Sequence, residues 1–202
     1  MNAYLYLEGG AKGSKDLNIR CQAAFHKLLE RMGFAGRKPR LVACGGRDQV
    51  YKRFVAQHSS GEAAYVALWI DSEEPMAHLE EAWNHLQTVA TVGQWARPEG
   101  AEDDQVLFMT TCMETWIVAD HPVLTEHYGS RLQKTALPSL VNLENRGRHE
   151  VQDQLQHATR NCPNAFEKGK RSFEVLAKLT PATLAAHLPS FVRVQRILNT
   201  KL

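Results

Sequence analysis

The stretch AAYVALWI, residues 63–70, carries no charged residue and runs straight into DSEE at 71–74. Eight such positions in a row, with no polar alternation, are the pattern of a strand buried on both faces, as in a parallel sheet covered above and below by helices. Three shorter stretches read as strands beside it: AYLYL (3–7), RLVAC (40–44) and QVLFMTTC (105–112). Between the first two, Leu17, Cys21, Ala24, Phe25, Leu28, Leu29 and Met32 recur at three- and four-residue steps, which predicts a helix. Ser14 or Asp16 can cap its start and Gly33 can close it. A second helix is expected from Asp48, with Val50, Tyr51, Phe54 and Val55 on one face. After DSEE, Pro75 suits the first turn of a third helix, with Met76, Leu79, Trp83 and Leu86 as its buried stripe. GQWARPEGAEDD (93–104) is polar and turn-rich and reads as a loop; METWIVAD (113–120) starts a helix and HPVLTEHYG a second short one. Strands alternate with helices through residue 120, which predicts an α/β fold with a mainly parallel, Rossmann-like sheet flanked by helices.

The pattern changes near residue 130. Pro138 and NRGR (145–148) mark loops, and helices are expected near 149–160, 171–179 and 181–200, the last broken at Pro189. Two parts follow: an α/β core over 1–130 and a helical, basic C-terminal subdomain over 131–202 that packs on it. The net charge of +2 hides this division. Residues 1–130 hold 12 Lys/Arg against 17 Asp/Glu, a net of −5, and residues 131–202 hold 12 against 5, a net of +7. An acidic first part suits a hard cation and a basic last part suits a polyanion, although solvated surfaces would give the same totals.

Composition excludes several classes. With 44% hydrophobic and 23% charged residues the chain is ordinary globular protein. No apolar run approaches the ~20 residues of a membrane span, and MNAYLYLEGG lacks a basic signal region, so the expected location is the cytoplasm, away from membranes. Cys21, Cys44, Cys112 and Cys162 have no zinc-knuckle spacing and read as reduced, buried thiols; the histidines form no metal motif.

Chemistry concentrates at strand ends. Glu8 follows the first strand and precedes Gly9-Gly10, and Asp71 and Glu73 follow the third. Ligands of open α/β sheets bind at the carboxyl ends of strands. If the chain stays extended, Asp71 and Glu73, two apart, point the same way and converge with Glu8 on one ion. Magnesium takes such carboxylates and bridges to phosphate. The plainer alternative is that Asp71 or Ser72 caps the next helix and Glu8 lies in a solvated turn. In CGGRDQ (44–49), Gly45-Gly46 ahead of a helix can offer backbone N–H groups to an anion, and Arg47 can fork onto a phosphate or form a structural ion pair. Glu114, just past the fourth strand, is a further ligand, an orienting residue, or a carboxylate favoured by a helix dipole. Lys168, Lys170 and Arg171 beside Gly169 can grip a nucleic-acid backbone or stabilise charge during cleavage, Lys168 foremost, or form a basic loop.

LYLEGG (5–10) ahead of a helix and ALWIDSEEP (67–75) resemble the Glu and Asp-x-Asp motifs of Toprim domains, with Glu73 where that pattern has Asp. Through YLEGG, VACGGRDQVYKRF, LWIDSEEP, CMETWIVAD and KGKRSFEVLAKL, in order along the chain, the sequence resembles a Toprim-like bacterial family encoded beside ABC-type ATPases. That family includes the effector nuclease of the PARIS anti-phage system. The loop GGAKGSKD is longer than the turn of many Toprim proteins. The resemblance implies an acidic triad of Glu8, Asp71 and Glu73 holding Mg2+ or Mn2+. It also implies phosphodiester cleavage of RNA or DNA, tRNA included, and control by an ABC-type ATPase partner in antiviral defence. Two other readings compete: a silent interaction subunit of an ATPase complex, and nucleotidyl transfer as in primases. A homodimer is a further open expectation.

Overall fold

The computed structural model describes residues 2–89 and 94–202. Its centre is a four-stranded, all-parallel sheet in the order β2-β1-β3-β4, from β1 (Ala3–Leu7), β2 (Arg40–Ala43), β3 (Tyr65–Asp71) and β4 (Val106–Met109). Helices α1 (Lys15–Arg31), α2 (Arg47–Ser60) and α3 (Ala82–Thr88) lie in the connections. After β4 come α4 (Met113–Ala119), α5 (His121–Tyr128), α6 (Arg148–Thr159), α7 (Lys170–Leu176), α8 (Pro181–His187) and α9 (Pro189–Lys201). The Rossmann-like α/β class expected from the strand pattern is therefore the one found.

The reading of residues 63–70 rests on burial, and burial explains the fold. Tyr65, Ala67 and Trp69 face one apolar cluster, while Val66, Leu68 and Ile70 face the other. Alternate side chains of a strand point to opposite faces, so both faces must be covered. One cover is α2 and α3, through Val50, Phe54, Trp83 and Leu86. The other is α1 with the helices after β4, which share one buried cluster with the sheet. A file of aromatic rings runs through that side: Phe25 edge-on to Trp69 at 4.8 Å, Trp69 to Trp116 at 6.0 Å, and Trp116 to Phe191 at 5.0 Å. It joins α1, β3, α4 and α9.

Buried polar groups tie the C-terminal helices down. Asp120 accepts the Val123 N–H at 3.2 Å and the Thr180 N–H at 2.8 Å, fixing the starts of α5 and α8 together. Arg193 of α9 donates to the carbonyls of Val106 (2.7 Å) and Asp103 (2.6 Å). Each satisfies groups that would be costly to bury alone.

One element departs from expectation. No helix follows Pro75; residues 72–81 are irregular and α3 begins only at Ala82. The chain past β3 stays attached to the chain past β4, because the Ser72 N–H donates to the Met109 carbonyl (3.2 Å) and the Glu73 N–H to that of Thr111 (2.9 Å). The helix starts where a cap is available: the Asp103 carboxylate accepts the Trp83 N–H at 2.7 Å. Within the expected 93–104 loop, Gly93 lies outside the described residues, and 94–104 is irregular apart from the start of a short helical turn, Asp103–Gln105. Among the described residues no helix is long and apolar enough to cross a membrane.

Candidate metal centre at the carboxyl edge of the sheet

The connections leaving β1 and β3 run in opposite directions across the sheet, β1 toward β2 and β3 toward β4, so the gap between these strands is the topological switch point at which open α/β sheets bind ligands. Glu8 and Asp71 sit on its two sides. The Glu8 N–H donates to the Trp69 carbonyl at 2.9 Å, and Glu8 Oε2 accepts the Asp71 N–H at 3.1 Å. Past Glu8, Gly9 and Gly45 exchange two backbone hydrogen bonds (3.0 and 2.9 Å), clipping the ends of β1 and β2 together. Both take positive φ (138° and 79°), and a Cβ on Gly9 would meet Cys21 Sγ at 2.9 Å, so glycine is required there on two counts.

Glu8, Asp71 and Glu73 each offer one carboxylate oxygen, and the three oxygens lie within 4.8 Å of one another. The convergence expected for these residues is present, by a different route. The chain does not stay extended after Asp71, since Glu73 takes a left-handed φ of 68°. Left-handed backbone is uncommon for a side chain of this size and persists only where surroundings impose it. Here the Glu73 N–H bond to Thr111 and two arginines impose it. Nor does Asp71 cap a helix after β3: its Oδ1 accepts the Met113 N–H at 2.9 Å, at the first turn of α4.

Arg47, the first residue of α2, reaches into the middle of this group. Its Nη2 donates to Glu8 Oε2 at 3.0 Å and to the Asp71 carbonyl at 2.8 Å, and lies 3.1 Å from Glu73 Oε1. Of the two roles left open for it, the ion pair is the one the geometry contains. Arg148, at the start of α6, pairs with the other oxygen of Glu73.

Glu114 is wholly buried and follows directly on Met113, whose N–H bonds Asp71. Gln152 of α6 donates to its Oε2 at 3.0 Å, while Oε1 has no partner among the described residues. Burial, and then the charges of Glu8 and Glu114, hold the Asp71 carboxyl well above the usual carboxylate range; Lys168 and Arg47 act against them. A cavity of about 160 Å³ opens beside these groups, lined by Glu8, Asp71, Glu114, Lys168 and Phe173 with Gly9, Gly10 and Gly45. Burial raises all four thiols, Cys21 to about 12 and Cys44 to about 11, and the charges of Glu114 and Asp71 raise Cys112 further.

The three cations of FEKGKRSF part company. Lys168 faces the cavity, Lys170 lines a groove between α1 and α7 with Arg20 and Lys27, and Arg171 lies 3.7 Å from Glu167. Sequence reading passed over Arg148 and Gln152. The only signal for them was NRGR directly ahead of a helix, which marks a loop but not its target.

A family model described as a domain of unknown function, DUF4276, matches residues 12–198. No curated protein and no solved structure matches the chain.

Proposed function

The chain belongs to the DUF4276 family, and on that footing we propose that it is a metal-dependent nuclease with a Toprim-like acidic centre. The observation that carries the reading is the convergence of Glu8, Asp71 and Glu73 at the switch point of a parallel sheet. Around magnesium at about 2.1 Å, neighbouring oxygens stand about 3.0 Å apart and opposed ones about 4.2 Å, so three oxygens within 4.8 Å can share Mg2+ or Mn2+ once their side chains draw in. The unpartnered Glu114 oxygen adds a buried acceptor that suits a cation-bound water. A divalent ion bound there would supply an activated water and neutralise charge on a phosphodiester.

The chain's own residues divide the remaining work. Glu8, Asp71 and Glu73 hold the cation. Gln152 and Glu114 orient the wall behind Asp71. Lys168, across the cavity, faces the phosphate as negative charge builds on it. Arg47 is balanced between carboxylates and a phosphate, since a guanidinium binds either in the same forked geometry. Incubation with labelled tRNA, single-stranded DNA and duplex DNA plus magnesium or manganese tests the reading. Cleavage lost in Glu8→Gln supports it; no cleavage of any substrate, even with the natural partner and trigger added, sinks it.

One observation favours a second reading. Glu8 and Glu73 already have arginine partners, which suits a silent subunit whose acidic edge is structural. Manganese titration separates the two, because a silent subunit binds the ion no better than Glu8→Gln does. Regulation by an ABC-type ATPase, a cytoplasmic location and a role in anti-phage defence are proposed with the nuclease reading, on the sequence resemblance. Co-purification from a native host tests the first.

A further inference from the structure

We propose that the groove between the β2–β1 corner of the sheet and α2 binds a single-stranded stretch of nucleic acid, one base stacked on Tyr4 and its phosphate held between Arg40 and Arg53. The proposal rests on reading the acidic edge as a nuclease centre, and it names the form of the substrate.

The groove measures about 480 Å³, against about 160 Å³ for the cavity beside Glu8. Its origin is topological. β2 is an edge strand, and α2 packs over β1 and β3. The outer corner of that face is left open, with Tyr4, Tyr6 and Val42 as its floor and Arg53 and Gln57 of α2 as its wall. Tyr4 and Tyr6 lie with their ring planes nearly parallel, 14° apart with centroids 6.5 Å distant, the deeper ring buried and the outer one half-buried. The Arg40 guanidinium stands 5.6 Å from the Tyr4 centroid, so this ring already receives a planar cation.

Charge selects the occupant. Arg40 and Arg53 are exposed, and neither guanidinium forms an ion pair or hydrogen bond among the described residues, unlike those of Arg20, Arg47, Arg97, Arg146, Arg148 and Arg196. Two free guanidiniums flanking an aromatic floor match the two halves of a nucleotide: a phosphate for the cations and a base for the ring. A duplex keeps its bases paired and offers no ring face to Tyr4. Glu62 ends the cationic stretch at the rim far from Glu8. Tyr4 and Glu8 lie on one run of chain, about 13 Å apart at the rise of a strand. A strand seated on Tyr4 therefore reaches the acidic edge within a few nucleotides.

The experiment uses the full-length Glu8→Gln protein in EDTA, so that cleavage cannot enter. Fluorescence anisotropy follows short labelled single-stranded RNA, single-stranded DNA and duplex DNA across a salt series. Replacing both Arg40 and Arg53 by Gln should weaken single-strand binding at least about tenfold and lower the salt slope by about 0.7, as the phosphate between them goes without its cations. Tyr4→Leu should weaken it by about tenfold while Tyr4→Phe retains it. Duplex binding should change little. Unchanged single-strand affinity in folded variants, checked by circular dichroism, overturns the proposal. So does a concentration-dependent dimer that closes the groove along the β2 edge and leaves no oligonucleotide binding. Groove-dependent binding without any cleavage in the wild type sinks only the nuclease reading. Cleavage of single strands indifferent to all three groove substitutions sinks only the groove.

Discussion

Arg47 meets Glu8 at 3.0 Å across the junction where β1 ends and α2 begins. Both side chains are largely buried, so the guanidinium neutralises the acidic edge at close range. A competing cation must then work against it. Arg47→Ala should tighten manganese binding several-fold and also lower stability by about 1–3 kcal/mol, because it strands partly buried carboxylates. Calorimetric titration and thermal melting, run on the same preparation, check both signs. Weaker manganese binding in the variant would argue that Arg47 builds the site instead of opposing the ion.

Glu8 receives both the Asp71 N–H and Arg47, so its charge matters more than its shape. Glu8→Gln preserves an acceptor for the Asp71 N–H and should leave the fold and nucleic-acid binding intact. Cleavage should fall by about a hundredfold or more. Gel-based cleavage alongside anisotropy binding distinguishes a lost cation from a lost substrate.

The separation of Lys168 from Lys170 and Arg171 turns one basic cluster into two tests. Lys168→Ala should reduce cleavage more than binding, because it faces the cavity with Glu8 and Asp71. Neutralising Lys170 and Arg171 together should reduce binding alone, with a salt slope lower by about 0.7 for each single-strand phosphate that goes without its cation. Equal effects of the two variants on kcat at saturating substrate would contradict this division.

Glu144 accepts the Ser190 N–H at 3.1 Å, and the Ser190 hydroxyl as well, at the first turn of α9. Burial outweighs these bonds and pushes its carboxyl up to about 7. A raised carboxyl pKa means that the folded chain holds a proton the unfolded chain has released. The resulting stability is full below about pH 4.5 and is lost as pH rises through about 7, a change of up to about 3 kcal/mol. Urea unfolding of the wild type should therefore show a falling midpoint over that range. Glu144→Gln should flatten the profile.

Trp116 is fully buried between Trp69 and Phe191. Trp116→Ala should cost about 3–5 kcal/mol. The loss should appear as a lower denaturation midpoint, with the helical signal of the remaining folded protein preserved.

The legible parts of the chain were those set by local pattern. AAYVALWI announced burial on two faces because each of its side chains had to meet one cover or the other. Leu17 through Met32 announced α1 by period, and of the two caps on offer, Ser14 and Asp16, it is Ser14 that accepts the Leu17 N–H. Pro75 misled, because its preference for a first turn is weaker than the bonds holding Ser72 and Glu73 to the chain after β4. Glu8, Asp71 and Glu73 were legible as residues at strand ends, but the left-handed turn at Glu73 was not. It depends on Thr111 and on arginines about 26 and 75 positions away. Arg148 and Gln152 were hidden for the same reason: a tertiary contact leaves no periodicity on either partner.

The site's dependence on α6 limits how portable it is. A fragment ending near residue 130 would retain Glu8, Asp71, Glu73 and Glu114 while discarding Arg148, Gln152 and Lys168. Such a fragment would carry the emblem of a metal centre without the groups that neutralise and steady it. Transplanting the strand-end carboxylates onto another parallel sheet would meet the same difficulty. Any replacement of the helices after β4 would thus have to supply a new cation for Glu73 and a new donor for Glu114.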